Sequence, residues 1–189
     1  MNSMQLAADL HIHSCLSPCA DSDMTPNNIV NMACLKGLDV IAVTDHNSAL
    51  NLPAIKSAAD RSGLLFLPGL EVQTREEVHV LCYFPSVAAA LSMGEAVYET
   101  LPDMRNSPEI FGEQVICDDN DLPLGTIERL LIQSSTLTLE QAVIMCRTHG
   151  GVPVPAHIHR MSNSVLSNLG FIPGYLNFKT LEIGTHKPI

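Results

Sequence analysis

Two histidines stand two residues apart in DLHIHS (residues 9–14), and in an extended strand such positions share a face, so the imidazoles of His11 and His13 aim at a common point. That is a chelating geometry. Further residues of the same chemical kind recur downstream: Asp45 and His46 in AVTDHN (42–47), Glu71 in PGLEV (68–72), His79 in EVHVL (77–81) and His157 in PAHIHR (155–160). Imidazole mixed with carboxylate suits zinc, manganese or iron. A carboxylate such as Glu71 can also bridge two ions, and ions about 3.5–4 Å apart clamp a phosphate and generate hydroxide at neutral pH. The chemistry expected is hydrolysis of a phosphate ester.

Residues so far apart in sequence need a scaffold that delivers them to one place. Apolar runs at 6–11, 38–45, 64–72, 78–84 and 152–157 read as strands, and 179–184 reads as a final one. Helices are expected from Thr25-Pro26 to Gly37, from Asn51 to Gly63 and over 86–101, since threonine caps, proline suits the first turn and glycine suits the exit. Thr138-Leu139-Glu140-Gln141 has the form of a capping box ahead of a helix reaching Thr148, followed by a shorter helix after His157. Strands alternating with helices point to an α/β fold on a largely parallel sheet or barrel. The candidate ligands then fall mostly at strand C-terminal ends, where barrel enzymes build their sites. A single domain over residues 1–189 is expected, interrupted at about 102–124 by an acidic insertion that reads as a lid or mobile loop.

Composition narrows the function classes. Twenty acidic against ten basic side chains give a net charge of −10, which disfavours nucleic acid as a partner except as a short oligonucleotide substrate. Six cysteines, at 15, 19, 34, 82, 117 and 146, form no C-x-x-C pair, and no signal-peptide pattern opens the chain, so reduced thiols in a cytoplasmic setting are expected. No apolar run approaches the roughly 20 residues of a membrane span.

The five motifs, in order and spacing, resemble the polymerase and histidinol phosphatase (PHP) superfamily. The resemblance runs from Asp9 to about Gly184. It implies a distorted (βα)7 barrel holding two or three divalent ions (zinc, manganese or iron) that act on a small phosphorylated substrate, with a metal-bound hydroxide attacking phosphorus and no protein nucleophile. Carried over by position, His11, His13 and Glu71 would hold one metal, Glu71, His79 and His157 a second, and His46 part of a third. Asp9 and Asp45 would be ligands or acceptors orienting imidazole N–H groups, and Arg160 a partner for substrate phosphate.

Two departures from the family pattern carry expectations of their own. A further ligand normally follows the first histidine pair, and within residues 17–26 Asp21, Asp23 or Cys19 could fill that role, with Asp23 preferred. The family's closing Asp-x-His is also missing: His186 lies nearby without the aspartate, so a barrel lacking its last strand is expected, with a weakened third position and an open edge inviting oligomerisation. The competing class is a non-catalytic PHP-like module with a structural or partner-binding role. His149, at a helix C-terminus, reads as structural. Cys15 and Cys19 lie near enough to the histidines to matter, and His159 could face either the site or solvent.

Overall fold

The computed structural model describes residues 5–184, so His186 lies outside the described residues. The chain runs β1 (Ala8–Ile12), α1 (Pro26–Leu35), β2 (Val40–Val43), α2 (Leu52–Ser62), β3 (Leu65–Gln73), β4 (His79–Tyr83), α3 (Val87–Tyr98), α4 (Pro108–Phe111), β5 (Val115–Cys117), β6 (Pro123–Thr126), α5 (Leu139–Thr148), β7 (Val152–Pro155) and α6 (Val165–Leu169). Five strands form one sheet in the order β1-β2-β3-β4-β7, and β5 with β6 forms a separate hairpin.

Two connection lengths explain the sheet. Helices α1 and α2 cross over between β1, β2 and β3, which pair in parallel. Residues 74–78 are too few for such a crossover, which takes a dozen or more. The chain therefore turns back, and β4 pairs antiparallel to β3 with Glu71 opposite Leu81 and Gln73 opposite His79. Strand β7 in turn pairs antiparallel to β4. The architecture is thus mixed α/β with a parallel first half. No closed barrel is found among the described residues, and the segment expected as a last strand, residues 179–184, is not a strand. It is tied to the end of β7 by two main-chain hydrogen bonds, Glu182 N–H to the Pro155 carbonyl and Ile158 N–H to the Glu182 carbonyl, both 3.1 Å.

One apolar core lies between the sheet and the helices, with Ile41, Val43, Leu52, Ile55, Leu70, Val80, Phe84, Met93 and Val143 among its members. Full burial of each such side chain contributes about 1.5–3 kcal/mol. The helix ends follow their local chemistry. Thr138 accepts from Gln141 N–H while the Gln141 side chain takes the Thr138 N–H, a complete capping box, and Gly63 leaves α2 at φ +68°. Thr25 makes no side-chain cap, so α1 relies on proline at its start.

The insertion is built rather than loose. It contains α4 and the β5–β6 hairpin, and several contacts fasten it to the body, among them the following. Val115 N–H donates to the Cys15 carbonyl at 2.9 Å, Cys117 N–H to Asn51 Oδ1 at 2.9 Å, and Gly112, at φ +99°, lies so close to Pro18 that an added Cβ would stand 2.5 Å from its carbonyl oxygen.

Candidate metal centre

Glu71 lies inside β3, 1% exposed, and five imidazoles converge on it. His11 comes from β1 and His13 from the turn beyond it. His46 follows β2 and forms an isolated parallel bridge with Glu71 itself. His79 opens β4, and His157 follows β7. Oxygen Oε1 has His79 Nδ1 at 3.0 Å, His11 Nε2 at 3.2 Å and His157 Nε2 at 3.3 Å. Oxygen Oε2 has His46 Nδ1 at 3.2 Å and His13 Nε2 at 3.4 Å.

Hydrogen bonds alone do not satisfy this cluster. A carboxylate offers about four lone-pair sites, and here five ring nitrogens compete for them. His11 Nε2 and His13 Nε2 also face each other at 3.2 Å. Three buried ring nitrogens, His46 Nδ1, His79 Nε2 and His157 Nδ1, have no hydrogen-bond partner. Metal ions would relieve the crowding around Glu71 and the facing of His11 Nε2 by His13 Nε2, and would give His46 Nδ1 a partner. Two ligand atoms each about 2.1 Å from one ion stand about 3.0–3.4 Å apart at coordination angles between octahedral and tetrahedral, which is the range of separations around Glu71. The donor set fits the ions that the sequence implies, and His11, His13 and Glu71 form one group able to hold an ion while His46, Glu71 and His79 form another.

Electrostatics follow from the same crowding. Burial pushes the Glu71 carboxyl upward, but hydrogen bonds from His11, His13, His157 and His79 hold it well below the usual carboxylate range. Burial works against charge on His11 and His13, yet Glu182 and Glu71 raise His11 to about 9, and Cys19 and Glu71 raise His13 to about 10. His46 is driven down to about 3, mainly by burial.

The surrounding residues hold the imidazoles in place. Asp45 is fully buried and accepts from Ser14 N–H (2.7 Å), Ser14 Oγ (2.6 Å) and Ser17 Oγ (2.7 Å). Its contacts are to serines rather than to imidazole N–H groups. With its proton given to Asp45, Ser17 Oγ accepts from His46 N–H at 3.0 Å and from His13 Nδ1–H at 3.2 Å, which leaves His13 Nε2 free to face Glu71. Glu182, absent from the expected set, meets His11 Nδ1 at 2.9 Å and the His157 N–H at 2.6 Å. The sequence held a signal for it: Leu181-Glu182-Ile183 repeats the apolar-acid-apolar pattern of Leu70-Glu71-Val72.

Other expected residues lie elsewhere. Asp9 and Asp23 are exposed and line a separate cavity with Met24 and Met32. The turn after His13 instead places Cys19 near the histidines, its Sγ 4.0 Å from His13 Nδ1, in a third potential ligand group of His13, Cys19 and His46. Arg160 is exposed and its side chain enters no ion pair among the described residues. His149 closes α5 by donating Nδ1–H to the Met145 carbonyl at 2.8 Å, and His159 accepts from Gly184 N–H at 3.2 Å; both bind backbone rather than the site. Cys15 is buried against Cys117, and its thiol is pushed up to about 12, chiefly by burial.

A mixed α/β sheet carrying a histidine–carboxylate centre at its strand ends is the architecture of a metal-dependent hydrolase. The PHP domain family matches residues 9–150, and the chain belongs to it. His157 and Glu182 lie beyond that match and are placed by geometry. Over 113 residues the chain is 34% identical to a 3',5'-nucleoside bisphosphate phosphatase of Chromobacterium violaceum, covering 55% of this chain and 39% of that protein. Over 78 residues it is 33% identical to the 5'-3' exoribonuclease Rnm of Salmonella typhimurium, covering 39% of this chain and 26% of that one. The matched regions therefore span less than half of either relative. Among solved structures, a Bifidobacterium adolescentis protein provisionally named a metal-dependent phosphoesterase superposes with a TM-score of 0.64 at 18% identity, over 94% of this chain and 77% of that one. No helix among the described residues is long and apolar enough to cross a membrane.

Proposed function

We propose that this chain is a metal-dependent phosphoesterase acting on a nucleotide-like phosphate, either a mononucleotide or the end of a short oligonucleotide. The observation that carries the reading is the convergence of five imidazoles on the single buried carboxylate of Glu71. A nucleotide is favoured over other phosphate esters by the two curated relatives, a nucleoside bisphosphate phosphatase and an exoribonuclease. The net charge of −10 argues against a long duplex, whose phosphates need basic contacts.

The residues divide the work. His11, His13, Glu71, His79 and His157 would hold two ions, with Glu71 shared between them, and His46 stands beside them for a third. When bound, the ions supply Lewis acidity toward phosphate oxygens and a hydrolytic nucleophile from water. Glu71 keeps its negative charge against burial and so balances the cations. Asp45 and Ser17 fix the ring of His13, and Glu182 fixes that of His11. Exposed Arg160, three residues past His157, is within the loop that substrate phosphate would meet.

The test is a panel of phosphomonoesters and phosphodiesters, including 3',5'-nucleoside bisphosphates and short RNAs, assayed for phosphate or nucleotide release with Mn²⁺ and Zn²⁺. Metal-dependent turnover of a nucleotide substrate that is abolished in Glu71→Gln is expected. A protein that retains no transition metal after growth in supplemented medium sinks the reading.

A further inference from the structure

An acid outside the five motifs, Glu182, touches a candidate ligand residue at each edge of the five-stranded sheet. Its strand order places β1 and β7 at opposite edges, and Glu182 reaches both. Its main chain is fastened to the end of β7 through the Pro155 carbonyl and Ile158 N–H. Its carboxylate then spans the gap. Oε2 takes the His157 N–H at 2.6 Å, and Oε1 lies 2.9 Å from His11 Nδ1, on a residue 171 positions earlier in the chain.

Each bond has a consequence for the metal centre. A carboxylate facing His11 Nδ1 keeps a proton on that nitrogen, so Nε2, 3.2 Å from Glu71, is the nitrogen left to ligate an ion when one is bound. Carboxylate–imidazole pairs of this kind also raise the basicity of the ligating nitrogen. At His157 the backbone sits at φ +29°, a conformation that side-chain-bearing residues rarely adopt, and the short bond from its N–H to a carboxylate holds it there. The ring of His157 is thereby turned back to within 3.3 Å of Glu71.

We infer that Glu182 is a positioning residue that sets the spacing of the metal centre, by holding one candidate ligand from each edge of the sheet with the two oxygens of one carboxylate. The inference deepens the proposed function and rests on it. Because both contacts need an acceptor, glutamine cannot replace glutamate: its single oxygen can serve either His11 or His157, and its NH₂ then confronts the N–H of the other. Aspartate keeps both acceptors on a shorter stem.

The experiment measures zinc affinity by competition with a chromophoric chelator, and the His11 Nδ1–H resonance by ¹⁵N-resolved NMR of the zinc-loaded protein, for wild type, Glu182→Gln and Glu182→Asp. Thermal melting of the metal-free proteins runs beside it. Expected are a 10–100-fold weaker zinc affinity in Glu182→Gln, loss of the protected Nδ1–H signal, and partial recovery of both in Glu182→Asp. Melting of the metal-free variants should stay close to wild type, since the main-chain bonds of residue 182 do not depend on its side chain. A Glu182→Gln protein with wild-type zinc affinity and an unchanged His11 signal overturns the inference while leaving the phosphoesterase reading intact. A variant that loses only metal-free melting temperature, with zinc affinity unchanged, overturns it equally and assigns Glu182 to structure alone. Wild-type protein that binds no zinc removes the metal centre itself, and this inference with it.

Discussion

Two buried polar networks lie side by side in this protein, and they differ in how completely they are satisfied. Around Asn47, Asn51 and Gln114, donors and acceptors match. Gln114 gives its amide to the Ile127 and Arg129 carbonyls at 2.8 and 2.9 Å and accepts from Leu131 N–H at 2.7 Å. Asn51 likewise donates to Ser14 Oγ and the Val115 carbonyl and accepts from Cys117 N–H, while Asn47 donates to the Leu131 and Gln133 carbonyls and accepts from Gln73 N–H. Around Glu71, five rings crowd one carboxylate and three buried nitrogens are left without partners. Unpaired polar groups in a protein interior are costly. A network that leaves them open is therefore arranged for something other than its own stability, whereas the amide network is arranged to fix loops. The first is a site and the second is its frame.

The comparison breaks most visibly at Glu71. Glu71→Gln keeps the shape of the side chain but removes the charge that would hold cations together, and outer partners of metal ligands are already worth about 10–100-fold in affinity. Zinc affinity should fall by more than about 100-fold and any phosphatase activity with it, while circular dichroism remains that of a folded protein. Normal metal content in this variant would remove Glu71 from the centre.

The frame should respond in the opposite sense. Gln114→Ala leaves the buried Leu131 N–H and the half-buried Ile127 and Arg129 carbonyls without partners, at about 1–3 kcal/mol each before water or relaxation compensates. Urea unfolding should report a loss of about 2–4 kcal/mol, with metal affinity changed by no more than a few fold. If metal binding fell as far as in Glu71→Gln, the division between site and frame would be wrong.

The smallest effect is expected at the border of the two, where Cys19 is exposed beside His13 and His46. Alkylation of Cys19 should slow several-fold on zinc loading, with exposed Cys34 as the internal control. Equal protection of both thiols would exclude Cys19 from the neighbourhood of the ions.

What the sequence disclosed of all this follows the range of the interactions. The capping box at Thr138 and Gln141 and the glycine exit of α2 are set by residues within a turn of each other, and both stand where local chemistry puts them. The i, i+2 pairing of His11 and His13 is equally local, and their rings face the same carboxylate. Glu182 showed only the apolar-acid-apolar pattern of its own neighbours, because its partner His11 is 171 residues away. The nearness of Cys19 rather than Asp23 was hidden for a different reason: successive turns, with Ser17 N–H on the Ser14 carbonyl and Ala20 N–H on the Ser17 carbonyl, decide which side chain comes back toward the histidines. The reversal at residues 74–78 was readable from its length alone, but the alternation of strands and helices elsewhere suggested a parallel continuation. The hairpin β5–β6 offered no apolar alternation, since residues 123–126 are all exposed.

The close approach of Gly112 to the Pro18 carbonyl bears on how this domain can be remodelled. Any side chain at position 112 would both strain the backbone at φ +99° and collide with main chain two residues before Ala20 and five after His13. The acidic segment and the histidine turn are thus geared together: exchanging one for a longer, shorter or differently charged version shifts the other. Grafting a foreign insertion here disturbs the turn that follows His13, and shuffled or trimmed variants should keep that turn only where they carry Gly112 and residues 14–20 across as one cassette.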